Sequence, residues 1–104
     1  MKTAIELVAK ERQEQIEKHG FNADYVKNHP EYYEDNQMAN VARGLIFPTT
    51  EFSPMQTVID LKGAEGWNVD YLKYAESKTY KERLIIAAAL IVAELDRING
   101  IVNN

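Results

Sequence analysis

The sequence predicts a single all-α domain, a compact bundle of four or five helices with two long ones, at about residues 4–19 and 80–99, and the rest short. Three pairs have the Ser/Thr-x-x-Glu/Gln spacing of a helix capping box: Thr3 with Glu6, Ser53 with Gln56, and Thr79 with Glu82. Apolar residues recur at helical spacing after these pairs. Because nothing repeats and no segment resembles a linker, residues 1–104 are predicted to form one domain.

The first helix is predicted to begin after Thr3. Ile5, Val8, Arg12 and Ile16 follow at intervals of three and four residues, which places them on one face. Gly20 ends the pattern, so the helix should run from about Ala4 to His19.

The middle of the chain is less regular. Asn22 is a candidate cap for a single turn that ends before Pro30, and Pro30 suits the first position of the next helix. A second helix, which ends before Pro48, is predicted from residues that recur at helical spacing: Glu34, Gln37, Met38, Val41, Ala42 and Leu45. The segment from Pro48 to Phe52 is predicted to be a loop.

Two short elements follow. Residues 55–61 fit a helix closed by Gly63, but Thr57 to Ile59 fit a short strand equally well. Gly66 and Trp67 form a predicted turn, and Asn68 can cap a short helix that contains Tyr71.

The last helix is the most apolar. Its apolar residues step by four, three, four and three, which is the spacing of a heptad seam: Leu84, Ala88, Ile91, Leu95 and Ile98. Further apolar residues cover much of the remaining circumference, so nearly every face needs a neighbour. We therefore expect a homo-oligomer through the Leu84–Ile98 helix; the alternative is the central helix of a monomeric bundle.

Composition excludes several classes of protein. The 104 residues include no cysteine, which removes disulfide frameworks, thiolate metal sites and thiol nucleophiles. The net charge of −4 disfavours DNA as a partner. The longest apolar run has about half the length of a membrane span. We expect a cytoplasmic protein with neither a membrane partner nor a cofactor.

A catalytic set is hard to assemble from this sequence. The two histidines, His19 and His29, have no carboxylate partner fixed by spacing, and no phosphate-binding glycine motif occurs. Glu14 and Glu17, with Glu31 and Glu34 on a later segment, are similar to the paired acids of the all-α nucleoside triphosphate pyrophosphatases, which hold magnesium. The alternative explanation is a solvated acidic face.

The candidate ligand-binding residues combine aromatic rings with positive charge. Aromatic side chains can stack on a base, and guanidinium groups can bind phosphate. The predicted ligand-binding set is Arg12, Lys18, His19, Trp67, Tyr71 and Arg83. Core packing for Trp67 and a helix C-terminal cap for His19 are the alternatives.

The two ends of the chain carry motifs of a known kind. Glu11, Arg12, Gln15, Ile16 and Gly20 form the pattern E-R-x-x-Q-I-x-x-x-G, the turn has Gly66-Trp67, and residues 93–97 read A-E-L-D-R. With these motifs the chain resembles a family of small phage- and prophage-type proteins.

Small oligomeric phage proteins include some that sequester nucleotide immune signals, such as cyclic dinucleotides or ADP-ribose derivatives. By this analogy of size and origin, we expect a phage-type homo-oligomer that sequesters a nucleotide-like molecule without catalysis. A magnesium-dependent pyrophosphatase and a protein that inhibits a host enzyme through its acidic face are the alternatives.

Overall fold

The structure, a computed structural model, describes residues 2–18, 23–47 and 53–100. Within these ranges it contains no strand and six α-helices, five of which have seven or more residues. They are α1 (Ala4–Lys18), α2 (Ala23–Asn28), α3 (Gln37–Ile46), α4 (Pro54–Asp60), α5 (Val69–Glu76) and α6 (Tyr80–Asn99), with a 3₁₀ turn at Pro30–Tyr32. The predicted all-α class is confirmed.

Helix α6 is the centre of the bundle. It packs chiefly on α3 and α1, and α4 and α5 pack on α3 at the far side of the core. The most deeply buried apolar side chains come from four helices and the segment between the 3₁₀ turn and α3: Tyr33, Met38, Val41, Leu45, Met55, Leu72 and Leu90. The four apolar residues predicted to face inward from α3 are all buried.

The predicted caps of the long helices are confirmed. The Thr3 backbone N–H donates to the Glu6 carboxylate at 3.0 Å, and the Glu6 N–H donates to Thr3 Oγ1 at 3.2 Å. Thr79 and Glu82 form the same reciprocal pair at the start of α6, and Gly100 ends that helix in the left-handed conformation. Ser53 supplies half of the expected box: its Oγ accepts from the Gln56 N–H, while the Gln56 side chain reaches Asp60.

Residues 55–60 are helical, so the strand alternative for Thr57 to Ile59 is wrong. Helix α4 covers Pro54–Asp60, with its N-terminal proline where the sequence places it. The residue that reverses the chain afterwards is Lys62, with φ of 59°, and not Gly63. Asn68 caps α5 as predicted, because its side chain accepts from the Tyr71 N–H at 2.9 Å.

The predicted second helix is divided in two. Pro30 begins only a 3₁₀ turn, and Asn36, at a φ of 63°, breaks the chain before α3 begins at Gln37. The buried Gln37 side chain holds this break: it accepts from the Asp35 N–H at 2.8 Å and donates to the Glu31 carbonyl at 3.0 Å. Glu34 therefore lies outside the helix to which the sequence assigned it.

Four predictions fall on residues that the structure does not describe. They are the place of His19 at the end of α1, the stop at Gly20, the cap at Asn22 and the loop from Pro48 to Phe52. Among the described helices, none combines the length and the apolar character needed to cross a bilayer.

Candidate functional site

The principal concave site is a pocket of about 250 Å³ whose described lining is almost wholly aromatic. It lies where α2 and the 3₁₀ turn meet the segment that leads into α5. We call it the aromatic pocket, and its described lining residues are Tyr25, Tyr32, Tyr33, Gly66, Trp67, Asn68 and Tyr71.

Trp67 is held against the 3₁₀ turn by a long-range hydrogen bond. Its indole Nε1–H donates to the Tyr32 carbonyl at 2.8 Å. Tyr33 is fully buried and meets the Trp67 ring edge-on, with 6.0 Å between the ring centroids. The two walls of the aromatic pocket are therefore fastened together, which pre-forms the site.

The close approach of the turn to the Tyr32 ring requires glycine at position 66. Its φ of +88° lies in the region that favours glycine, and a Cβ atom built there would be 2.2 Å from the Tyr32 ring. The backbone can approach Tyr32 this closely only because residue 66 has no side chain.

A stack of rings continues the aromatic surface along α2. Tyr25 and His29 are one helical turn apart, with ring centroids 4.3 Å from each other, and His29 stacks on Tyr32 at 5.5 Å with an angle of 8° between the planes. His29 Nδ1 is also 3.2 Å from a Glu31 carboxylate oxygen. The His29 and Tyr32 rings thus pack face to face. A planar ring added at this edge could stack in the same way.

The aromatic pocket is electrically neutral in its described lining. Burial raises the pKa of the Tyr33 and Tyr71 hydroxyls well above the ordinary tyrosine value, so both remain protonated at physiological pH. The described lining of the pocket therefore offers rings, hydroxyls and the Asn68 amide.

Arg12 lies behind this pocket. Its side chain is buried on α1, and it interacts electrostatically with both Tyr33 and Asp96. Burial lowers the pKa of its guanidinium, and the Asp96 carboxylate opposes that shift. Of the predicted ligand-binding residues, Trp67 and Tyr71 line the aromatic pocket together, and Arg12 lies outside its described lining.

Arg83 does not lie where it could bind the phosphate of a ligand in the aromatic pocket. Its buried guanidinium donates from Nη1 to the carbonyls of Leu45 at 3.0 Å and Phe47 at 3.3 Å. It therefore caps the C-terminal end of α3. Neither Arg83 nor Lys18, which is exposed at the end of α1, belongs to the described lining of the aromatic pocket.

A second depression of about 200 Å³ lies on the other side of Tyr71, between α1, α5 and α6. We call it the acidic cleft because its charged lining residues are Glu11, Glu14, Glu82 and Lys78. Burial, and next the neighbouring Glu14, raise the pKa of Glu11. The pKa of Glu82 is lowered instead, by hydrogen bonds from Thr79.

The carboxylates of the pyrophosphatase alternative are not gathered at one place. Glu14 faces the acidic cleft, Glu17 accepts a hydrogen bond from Gln13 on its own helix, and Glu31 contacts His29. Within residues 2–18, 23–47 and 53–100, no three acidic or histidine side chains are placed to hold a metal ion. The alternative therefore lacks its metal geometry in the described part of the chain.

Three pocket residues were missed by the sequence interpretation: Tyr25, Tyr32 and Tyr33. The available signal was the spacing of Tyr25 and His29, which puts two rings on one helix face, followed by an aromatic pair two residues after a proline. What the sequence does not show is that Trp67 joins them.

The heptad seam of α6 lies on its outer side. Ala88 is half-buried, and the larger seam side chains are exposed by 39 to 64%: Leu84, Ile91, Leu95 and Ile98. The structure thus buries one face of α6 at the centre of the bundle and leaves this seam without a covering element in the described chain.

Comparisons with known proteins yield no matching family model, no matching curated protein and no matching solved structure. The resemblance to phage-type proteins stays a prediction, and a function has to be argued from the site itself.

Proposed function

We propose that this protein is a non-catalytic binding protein that holds the base of a nucleotide-like ligand in the aromatic pocket, with copies associated through the seam of α6. The observation on which this rests is the convergence of five aromatic side chains on one pocket of about 250 Å³. Cyclic dinucleotides and ADP-ribose derivatives are the ligand types that we propose to test first.

The size and lining of the pocket support a ring as its occupant. Drug-sized ligands occupy pockets of roughly 300–1,000 Å³, so this smaller one suits a single base with the rest of the ligand outside. Stacking of a base on an aromatic side chain contributes about 1–3 kcal/mol. The pre-formed contact between Trp67 and Tyr32 limits the entropy lost on binding.

Fewer arginines are candidates for phosphate binding than the sequence suggested. Arg12 stays as a positive charge behind Tyr33 and not as a direct phosphate contact, because its side chain is buried and lies outside the described lining of the aromatic pocket. Arg83 is also excluded as a phosphate contact because its guanidinium already binds the end of α3, and those carbonyls would lose their donor if it turned away.

Trp67 offers a direct assay because it is the single tryptophan of the chain. We expect saturable quenching of its fluorescence on titration with AMP, a cyclic dinucleotide or ADP-ribose, and recovery of the ligand unchanged. Tyr25→Ala should weaken binding at least tenfold through the lost stacking face. The matched control is Tyr74→Ala, which removes an exposed tyrosine that lies outside the aromatic pocket.

Two results would contradict the proposal. One is the absence of any change in fluorescence or in calorimetry across the whole ligand panel. The other is recovery of a hydrolysed ligand, which would indicate an enzyme in place of a protein that sequesters its ligand.

The seam supports association with a second copy because it is self-complementary in an antiparallel pairing. Ala88 and Leu95 lie on opposite sides of Ile91 at nearly equal distances along the helix. A two-fold axis at Ile91 would set Leu95 of one copy against Ala88 of the other, a large side chain against a small one. A parallel pairing would set Ala88 against itself and leave a gap.

The seam is about 21 Å long at 1.5 Å per residue, which is small for a specific interface, so association should depend on concentration. We expect sedimentation equilibrium to give the mass of two copies for the unmodified protein and of one copy for Leu95→Glu. Leu61→Glu is the control, since Leu61 is 72% exposed and outside the seam. A single-copy mass for the unmodified protein up to millimolar concentration would rule this association out.

A further inference from the structure

We infer that the aromatic pocket selects rings that carry a delocalised positive charge, such as an N-alkylated heteroaromatic base, over the corresponding neutral rings. This inference rests on the proposed function and names the class of base. It follows from three features of the site: the composition of its lining, the charge beyond Tyr71 and the position of Arg12.

The lining is of the type that binds cations. Aromatic rings have negative faces, and Trp and Tyr attract a cation within about 6 Å of the ring centroid. Four tyrosines and Trp67 surround the aromatic pocket, and no charged side chain belongs to its described lining. A positive ring entering this pocket meets five such rings and no cationic side chain in the part of the wall that the structure describes.

The charges that lie beyond the Tyr71 wall are mainly negative. Tyr71 lines both the aromatic pocket and the acidic cleft, and Glu11 and Glu14 lie in the cleft with Lys78 as the opposing charge. Glu11 lies close enough to Tyr71 to act on it electrostatically across this wall. Since the intervening Tyr71 is partly buried, water screens this field less than it would at an open surface.

The positive charge of Arg12 does not cancel this preference. Arg12 is buried behind Tyr33, and the Asp96 carboxylate offsets its charge. The ring inside the pocket therefore experiences chiefly the aromatic lining and the acidic cleft.

Matched ligand pairs test the inference, because their members differ by one methyl group and one positive charge. Calorimetry should compare 7-methylguanosine monophosphate with guanosine monophosphate, and 1-methylnicotinamide, which is methylated at the ring nitrogen, with nicotinamide. We expect the cationic member of each pair to bind about tenfold more tightly.

The outcomes separate the inference from the proposed function. Equal or tighter binding of the neutral members overturns the inference and leaves the nucleotide-binding proposal standing. If cationic and neutral members both fail to bind, along with the nucleotides of the first panel, the proposed function falls and the inference falls with it.

Variants identify the source of the preference. Tyr25→Phe keeps a ring and should keep the tenfold ratio, whereas Tyr25→Leu keeps apolar bulk without a ring and should reduce it. Glu11→Gln should lower the ratio about twofold without changing the affinity for the neutral ligand. Glu34→Gln, at an exposed acid outside both depressions, is the control and should leave the ratio unchanged.

Discussion

The two faces of α6 are similar in composition and opposite in environment. The inner face presents Ile86, Ala87, Leu90 and Ala93, all of them buried in the core. The outer face presents the seam, in which Leu95 is 54% and Ile98 is 64% exposed. The apolar pattern of a helix thus shows which residues favour burial. Which of them are buried within the same molecule depends on how the chain folds.

The difference in burial assigns the two faces different energetic roles. Burial of an inner-face side chain contributes to the stability of every copy. Burial of a seam side chain contributes only when another molecule covers it, so its effect varies with protein concentration.

The largest effect that separates the two faces should come from Leu90→Ala. Leu90 is 0% exposed, and its truncation should lower the free energy of unfolding by about 3 kcal/mol through lost burial and a residual cavity. Urea unfolding at low protein concentration measures this.

The matched variant on the outer face is Leu95→Ala, which should cost less than about 0.5 kcal/mol under the same dilute conditions. Its cost should grow as the protein concentration rises, if copies pair through the seam. A loss as large as that of Leu90→Ala in dilute solution would show that the seam belongs to the core.

Arg83→Met tests the contact between the start of α6 and the end of α3. The substitution keeps much of the aliphatic length but removes the donor to the Leu45 and Phe47 carbonyls, and we expect a loss of about 2 kcal/mol. Arg43→Met is the control because Arg43 is exposed on α3 itself. Equal losses in urea unfolding for the two variants would contradict the capping role of Arg83.

The smallest effect concerns the acidic cleft at the edge of α6, where the pKa values of two carboxylates are shifted in opposite directions. The folded state raises the pKa of Glu11, so it binds that proton more tightly than the unfolded state does. Stability therefore falls as the pH rises from the ordinary glutamate pKa through the raised one. Glu11→Gln should remove this loss and be more stable than the unmodified protein at neutral pH, by less than about 1 kcal/mol since the group is partly solvated.

Glu82 provides the opposite case in the same cleft. Its pKa is lowered by Thr79, so its contribution is present above the ordinary glutamate pKa and is lost as the pH falls through the lowered value. Glu82→Gln should therefore be less stable than the unmodified protein at neutral pH and should converge with it in acid. Urea midpoints across a pH series measure both variants, and a common direction for the two would contradict the assignment.

The long helices were predictable from sequence because their ends depend on local chemistry. The pairs Thr3 with Glu6 and Thr79 with Glu82 each act within one turn, so their spacing alone locates the start of α1 and α6. The break between the 3₁₀ turn and α3 was not predictable in this way, because the tertiary burial of Gln37 holds it.

The candidate site was only half predictable for a related reason. Trp67 and Tyr71 were identified as aromatic candidates near one another in sequence. Their partners across the aromatic pocket lie 35 residues away, joined through the hydrogen bond from Trp67 to the Tyr32 carbonyl. Likewise, the capping role of Arg83 depends on the end of α3 passing the start of α6, which no spacing in the sequence reports.

The packing of α1 chiefly on α6 has a consequence for the dynamics of the molecule. Both side chains that α1 buries, Arg12 and Gln15, are polar, so α1 contributes little to the apolar core that α3 and α6 share. Such a helix can detach as a cooperative unit while the rest stays folded, and its amides should exchange with deuterium at a lower free energy than those of α3. Each opening of this kind would dismantle the acidic cleft, because Glu11 and Glu14 belong to α1.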